Sequence, residues 1–168
     1  MSPHRIVRMA GLAAEAVLVV AISLAHTVAA EPAADHAAVF NNNCSVCHQL
    51  AGAGLPGQFP RLAGRADRIA ATVAGRSYLE RVVLFGMAGK ITVDGSSIVG
   101  VMPSFAALSN SDLAAALDYI VSLDRSGDVH WKGKVFSPTD IARARAGRQL
   151  SPAQVHALRA VTLAKRDG

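Results

Sequence analysis

Cys44-Ser45-Val46-Cys47-His48 constrains this chain more than any other stretch. Two thiols three residues apart on one helical turn can each bond one vinyl group of a porphyrin. The imidazole that follows is then held beneath the iron, where a neutral histidine is a common ligand. The run therefore reads as a c-type haem attachment site. Paired cysteines have two other uses. A structural zinc ion needs further ligands, usually a second C-x-x-C or an H-x-x-x-H, and Cys44 and Cys47 are the only cysteines among the 168 residues. A dithiol redox pair needs a βαβ pattern around it, and none surrounds the motif.

Residues 1–30 have the layout of a secretory signal. Arg5 and Arg8 make a basic start, residues 16–25 form an apolar core, and Val28-Ala29-Ala30 supplies small residues before a cut ahead of Glu31. Ten apolar residues are too few to cross a bilayer, so an uncleaved anchor is the weaker reading and no stable membrane span is expected. The expected location is the periplasm. The formal net charge of +5 is unevenly placed. Residues 31–124 carry six basic and eight acidic side chains, whereas residues 125–168 carry nine basic and three acidic. A basic tail suits an acidic partner or a plain solvated helix equally well. Nucleic acid is not expected as a partner, because no basic motif is interleaved with aromatic residues.

Three domains are expected: a signal peptide at 1–30, a haem-bearing domain at 31–127 and a basic C-terminal extension at 128–168. Residues 35–43 read as a first helix, with Phe40 one turn before Cys44 on the same face. Residues 49–60 are rich in glycine and proline and read as loop. Residues 66–74 have helical spacing, with Gly75 as a stop. Ser77 and Glu80 form an S-x-x-E capping box opening a helix through Phe85, with Leu79, Val82, Val83 and Phe85 facing inward. Residues 91–98 suit either a hairpin turned at Asp94-Gly95 or a plain loop. Ser109 caps a last domain helix, helped by Asp112, with Leu113, Leu117, Ile120 and Val121 as its apolar face. In the extension, Ser137-Pro138 and Ser151-Pro152 start two short helices, with Trp131 and Phe136 ahead of them and Arg143, Arg145, Arg148 and Arg159 exposed. Such short units bury little alone, so the extension should pack on the haem domain or on another chain.

Taken together, CSVCH at 44–48, FPRLAG at 59–64, GVMPSF at 100–105 and the leucine-rich helix with Tyr119 resemble a class I c-type cytochrome. The likeness is to the exported bacterial single-haem proteins that accompany dehydrogenases, and it covers about residues 35–123. It implies an all-α fold, helices around one covalently attached haem c, with the extension as an addition. It also implies that Cys44 and Cys47 carry the haem, that the His48 ring N–H donates to the Pro60 carbonyl, and that Leu62 packs on the haem. An acceptor fixing the second nitrogen of a ligand histidine is a general requirement in its own right.

The sixth iron ligand has several candidates: Met102, Met87, His36, His130 and His156. Met102 precedes a proline, which biases its backbone to extended and places it in a loop able to reach the haem. The resemblance also puts the ligand at Met102. Met87 then reads as core filler, and the three histidines as structural or exposed. The family has a glycine four residues before the first aromatic, where this chain has His36.

An iron held by His48 and Met102 has no open position. The implied function is one-electron transfer rather than catalysis, as a carrier or cytochrome subunit passing electrons between an exported dehydrogenase and a downstream acceptor. The basic extension is a candidate docking element for such a partner. The competing class is a haem enzyme or gas sensor, peroxidase-like, with a labile sixth ligand.

Overall fold

The computed structural model describes residues 36–130 and 135–164. The expected signal segment and Trp131 lie outside them. Among the described residues there are seven helices and one two-stranded antiparallel hairpin. None of these helices is long and apolar enough to cross a membrane.

Helix α1 (His36–Asn43) runs into the short α2 (Ser45–His48), with Cys44 at the joint. The backbone ladder continues through the joint, because Cys44 N donates to Phe40 O at 2.8 Å and His48 N to Cys44 O at 3.0 Å. Both cysteines and His48 thus share the end of one helical rod. Gln49, at φ 60°, turns the chain out of the helix. The loop that follows contains a 3-10 turn (Leu50–Gly52) and folds back on itself. A side chain at Gly54 would put its Cβ 2.5 Å from the Arg61 nitrogen, so only glycine allows this close return.

Helix α3 (Ala66–Ala70) and helix α4 (Val73–Phe85) correct two expectations. The first helix ends at Ala70 rather than Ala74. The second starts four residues before Ser77 and is capped by Thr72, whose hydroxyl accepts from Gly75 N at 3.0 Å. Ser77 lies inside α4, where it accepts from Arg81, and Glu80 is well past the helix start. Gly75 does not stop a helix but lets two meet: a Cβ there would fall 1.7 Å from the Ile69 carbonyl oxygen. The inward face of α4 also differs from expectation. Leu84 is fully buried, while Val83 and Phe85 are only half-buried. The cause is that α4 packs against α5 on one side and the extension on the other, so its apolar surface is wider than one stripe.

Of the two readings open for residues 91–98, the hairpin is the one found, and it is longer than those residues. Strand β1 (Met87–Val93) pairs with β2 (Ser96–Met102) in a register that sets Val93 opposite Ser96 and Met87 opposite Met102. Asp94 and Gly95 both have positive φ, 48° and 79°, the pattern of the two-residue turn that matches strand twist. Met102 is therefore the last residue of a strand and not part of a loop, and Pro103, lacking an N–H, ends the ladder.

Helix α5 (Asn110–Ser122) is the centre of the molecule, capped by Ser109 through Asp112 N at 3.0 Å. It is buried on nearly every side, from Leu113 to Leu117 and again from Ile120 to Ser122. Helix α1 crosses it, with the Phe40 and Tyr119 rings 5.1 Å apart and tilted by 42°. The aromatic contact is made with His36 in place of the family's glycine.

After α5 the chain turns at Asp124. Its carboxylate accepts from Ser126 N and Ser126 Oγ, both at 2.8 Å, from Asp128 N at 3.1 Å and from His130 Nε2 at 2.9 Å. These donors, the Ser126 hydroxyl first, hold the carboxyl down to about 2. The folded turn binds fewer protons than the open chain, so its contribution is complete above the ordinary carboxylate value near 4 and is lost as pH falls towards 2. The protection of the Ser126 and Asp128 amides, taken relative to the exchange rate of an unstructured chain at the same pH, is expected to fall over that window and to be complete by pH 5.

The extension supplies helix α6 (Pro138–Ala146) and helix α7 (Pro152–Ala164). A full capping box opens α6, with Ser137 and Asp140 bonded reciprocally. Phe136, Ile141, Ala144 and Val155 are buried in the same core as Phe40 and Leu117. The extension packs on its own chain. Two expected exposures are corrected as a result. Arg145 is half-buried, donating to Leu108 O at 3.0 Å and to Asn110 Oδ1 at 3.0 Å, and Arg159 is half-buried against β1.

Candidate haem site

His48 is buried at the end of α2, and its Nδ1 lies 2.9 Å from the Pro60 carbonyl oxygen. A carbonyl only accepts, so Nδ1 carries the hydrogen and Nε2 keeps its lone pair. Burial lowers the imidazole pKa, and the Pro60 hydrogen bond opposes this only in part. A neutral ring with one nitrogen fixed and the other free is the state in which histidine takes a metal. The Cys44 thiol is pushed up to about 11, by burial first and by Cys47 beside it second. Held protonated, it is a poor target for oxidants. Both thiols are half-buried and unlinked.

The loop that presents Pro60 is fixed from two sides. Leu62 N and Ala63 N donate to Gly52 O, at 2.8 and 3.2 Å. Arg61 forms a two-pronged ion pair with Asp94 at the hairpin tip, both contacts 2.8 Å. The hydrogen bond to Arg61, ahead of the Coulombic attraction, lowers the Asp94 pKa. Arg61 thus ties the loop bearing the His48 acceptor to the hairpin bearing Met102. In the sequence Arg61 is only part of FPRLAG and Asp94 only a turn residue, and nothing in their spacing pairs them.

Met102 and Met87 stand opposite each other across the hairpin, so their side chains leave one face. Both are partly buried against the core that also touches Cys44, Leu62 and Phe105. The Tyr78 hydroxyl donates to the Met87 sulfur at 3.3 Å. Tyr78 is itself buried, whereas Arg76 donates to Ala70 O. His130 pairs with Asp124, and His156 with the Lys90 carbonyl. The open groove between α4 and α6, lined by Arg76, Glu80, Arg81 and Arg143, contains neither cysteine, nor His48, Met87 or Met102. Half-buried thiols, a buried neutral imidazole, thioethers and an apolar surround are a donor set and a lining that fit an iron porphyrin.

Comparison with known proteins agrees with that donor set. The cytochrome c family model matches residues 33–124. The chain belongs to the cytochrome c family. Cytochrome c-552 of Thermus thermophilus is 40% identical over 116 residues, which cover 69% of this chain and 88% of the relative. A second cytochrome c-552, from a type-collection strain of Thermus thermophilus, is also 40% identical over 116 residues, covering 69% of this chain and 78% of its own length. As a class I cytochrome c, this protein binds haem c covalently and transfers electrons. Cys44 and Cys47 stand at the spacing that this attachment requires.

Proposed function

We propose that this cytochrome c is an exported one-electron carrier whose iron is held by His48 and Met102. The observation that carries this reading is the His48–Pro60 hydrogen bond at the end of a C-x-x-C-H helix. It leaves Nε2 as the only ring nitrogen free for iron. Cys44 and Cys47 would form the two thioethers, and Leu62 would pack on the ring. When bound, the haem supplies the ferric–ferrous couple. The Met102 thioether favours the ferrous state and raises the potential. The Pro60 carbonyl keeps the imidazole oriented and makes it a better donor. The apolar lining of Leu62 and Phe105 limits water and so limits reorganisation when charge changes.

The protein would leave the cytoplasm by a cleaved signal at 1–30 and work in the periplasm as cytochrome domain 31–127 with extension 128–168. Its partners would be an exported dehydrogenase, which it serves as carrier or subunit, and a downstream acceptor. Because Ile141 and Ala144 of α6 and Val155 of α7 are buried in this chain's own core, a docking role for the extension falls to its outward charges, such as Arg143 and Arg148. The test is spectroscopic. Purified ferric holoprotein should show the weak red band of methionine–iron ligation, titrate reversibly with one electron, and bind carbon monoxide slowly when reduced. No red band, with rapid carbon monoxide binding, would favour an enzyme or sensor.

A further inference from the structure

Helix α7 contributes nothing to the donor set, yet it is packed along β1, the strand that positions Met102's partner. Val155 is fully buried there. On the same face, His156 Nε2 donates to the Lys90 carbonyl at 2.7 Å, and Arg159 Nη2 reaches the Thr92 carbonyl at 3.4 Å. Lys90 and Thr92 are two apart, so both carbonyls lie on the edge of β1 away from β2. A two-stranded hairpin is marginal by itself, and its open edge would otherwise be satisfied only by water. The approach is also too close to be incidental. A Cβ at Gly89, where φ is +148°, would lie 2.7–2.9 Å from three atoms of the His156 ring. Arg159 also lies beside the Tyr78 hydroxyl, which donates to the Met87 sulfur.

We propose that α7 is a latch on the ligand-bearing hairpin: His156, with Arg159, holds β1 by its outer carbonyls and so keeps Met102 on the iron. His156 is a positioning residue in this role, and the inference rests on the reading that Met102 is the sixth ligand. The hairpin leaves its place only when those carbonyls are released. Removing one of their donors therefore raises the fraction of molecules in which the methionine has left, by about tenfold for one hydrogen bond of ordinary net strength.

The test uses full-length ferric holoprotein at 25 °C and cyanide as the probe, because cyanide enters when the sixth position opens. His156→Ala should raise the entry rate about tenfold while the red band persists at equilibrium. His156→Gln, whose amide can still donate to the Lys90 carbonyl, should restore most of the wild-type rate. Ile141→Val on α6 lowers overall stability without touching the hairpin, and should leave entry unchanged. An unchanged rate in His156→Ala overturns the latch, and so does equal acceleration by Ile141→Val. Arg159→Ala is judged by the same criterion if His156→Ala fails to fold. A wild-type protein without the red band would instead show that methionine is not the ligand, so the wild-type spectrum separates the two failures.

Discussion

Alanine at Met102 is expected to abolish the red band of the ferric protein, open the ferrous iron to carbon monoxide, and lower the midpoint potential by on the order of 0.2 V. Axial ligands move haem potentials over about 0.8 V, so losing one thioether is a moderate step on that scale. The direction follows from the preference of methionine sulfur for ferrous iron. Met87 makes the experiment sharper. It stands opposite Met102 on the same hairpin face, but its sulfur already accepts a hydrogen bond from Tyr78. A red band that survives Met102→Ala and vanishes only when Met87 is also removed would assign the ligand to Met87. Loss of the band in Met102→Ala alone, with Met87→Ala unchanged, is the expected pair of results.

Alanine at Phe136 is expected to cost about 3–5 kcal/mol, the usual range for emptying a buried phenylalanine site. For a chain of this size that lowers the melting temperature by roughly 10–15 °C. Phe136 is 2% exposed and shares a core with Phe40, Leu84 and Leu117. Its amide, with that of Val135, donates to the buried Asp118 carboxylate, both at 2.8 Å. The side-chain change leaves those bonds in place, so thermal melts of the holoprotein read the packing alone. If the extension were a detachable arm for a partner, Phe136→Ala would leave the melting temperature unchanged. A shift below about 3 °C would contradict the core assignment.

Much of the helical plan was legible because its signals are local. Ser109 before Asp112, Ser137-Pro138 and Ser151-Pro152 mark helix starts within four residues, and helices begin at each. Legibility failed where a local signal competed with a distant contact. The box at Ser77 and Glu80 has the right spacing, but with Gly75 packed on Ile69 the helix starts earlier, at Val73, capped by Thr72. The burial of Leu84 does not follow from a single apolar stripe, because the second face of α4 is covered by residues more than fifty positions away. The chemical motif itself was readable, since C-x-x-C-H needs no tertiary partner to be recognised. The ties that surround it were not: Arg61 meets Asp94 across 33 positions, and His156 meets Lys90 across 66.

The burial of Phe136, Ile141 and Val155 also bears on the order of events during biogenesis. Synthesis from the amino end delivers His48 about a hundred residues before Val155. Throughout that interval the core lacks its closing pieces and cannot complete as one cooperative unit. What the late arrival of α6 and α7 completes is the packing around α4, α5 and β1, while Cys44 and Cys47 remain half-buried in the finished fold.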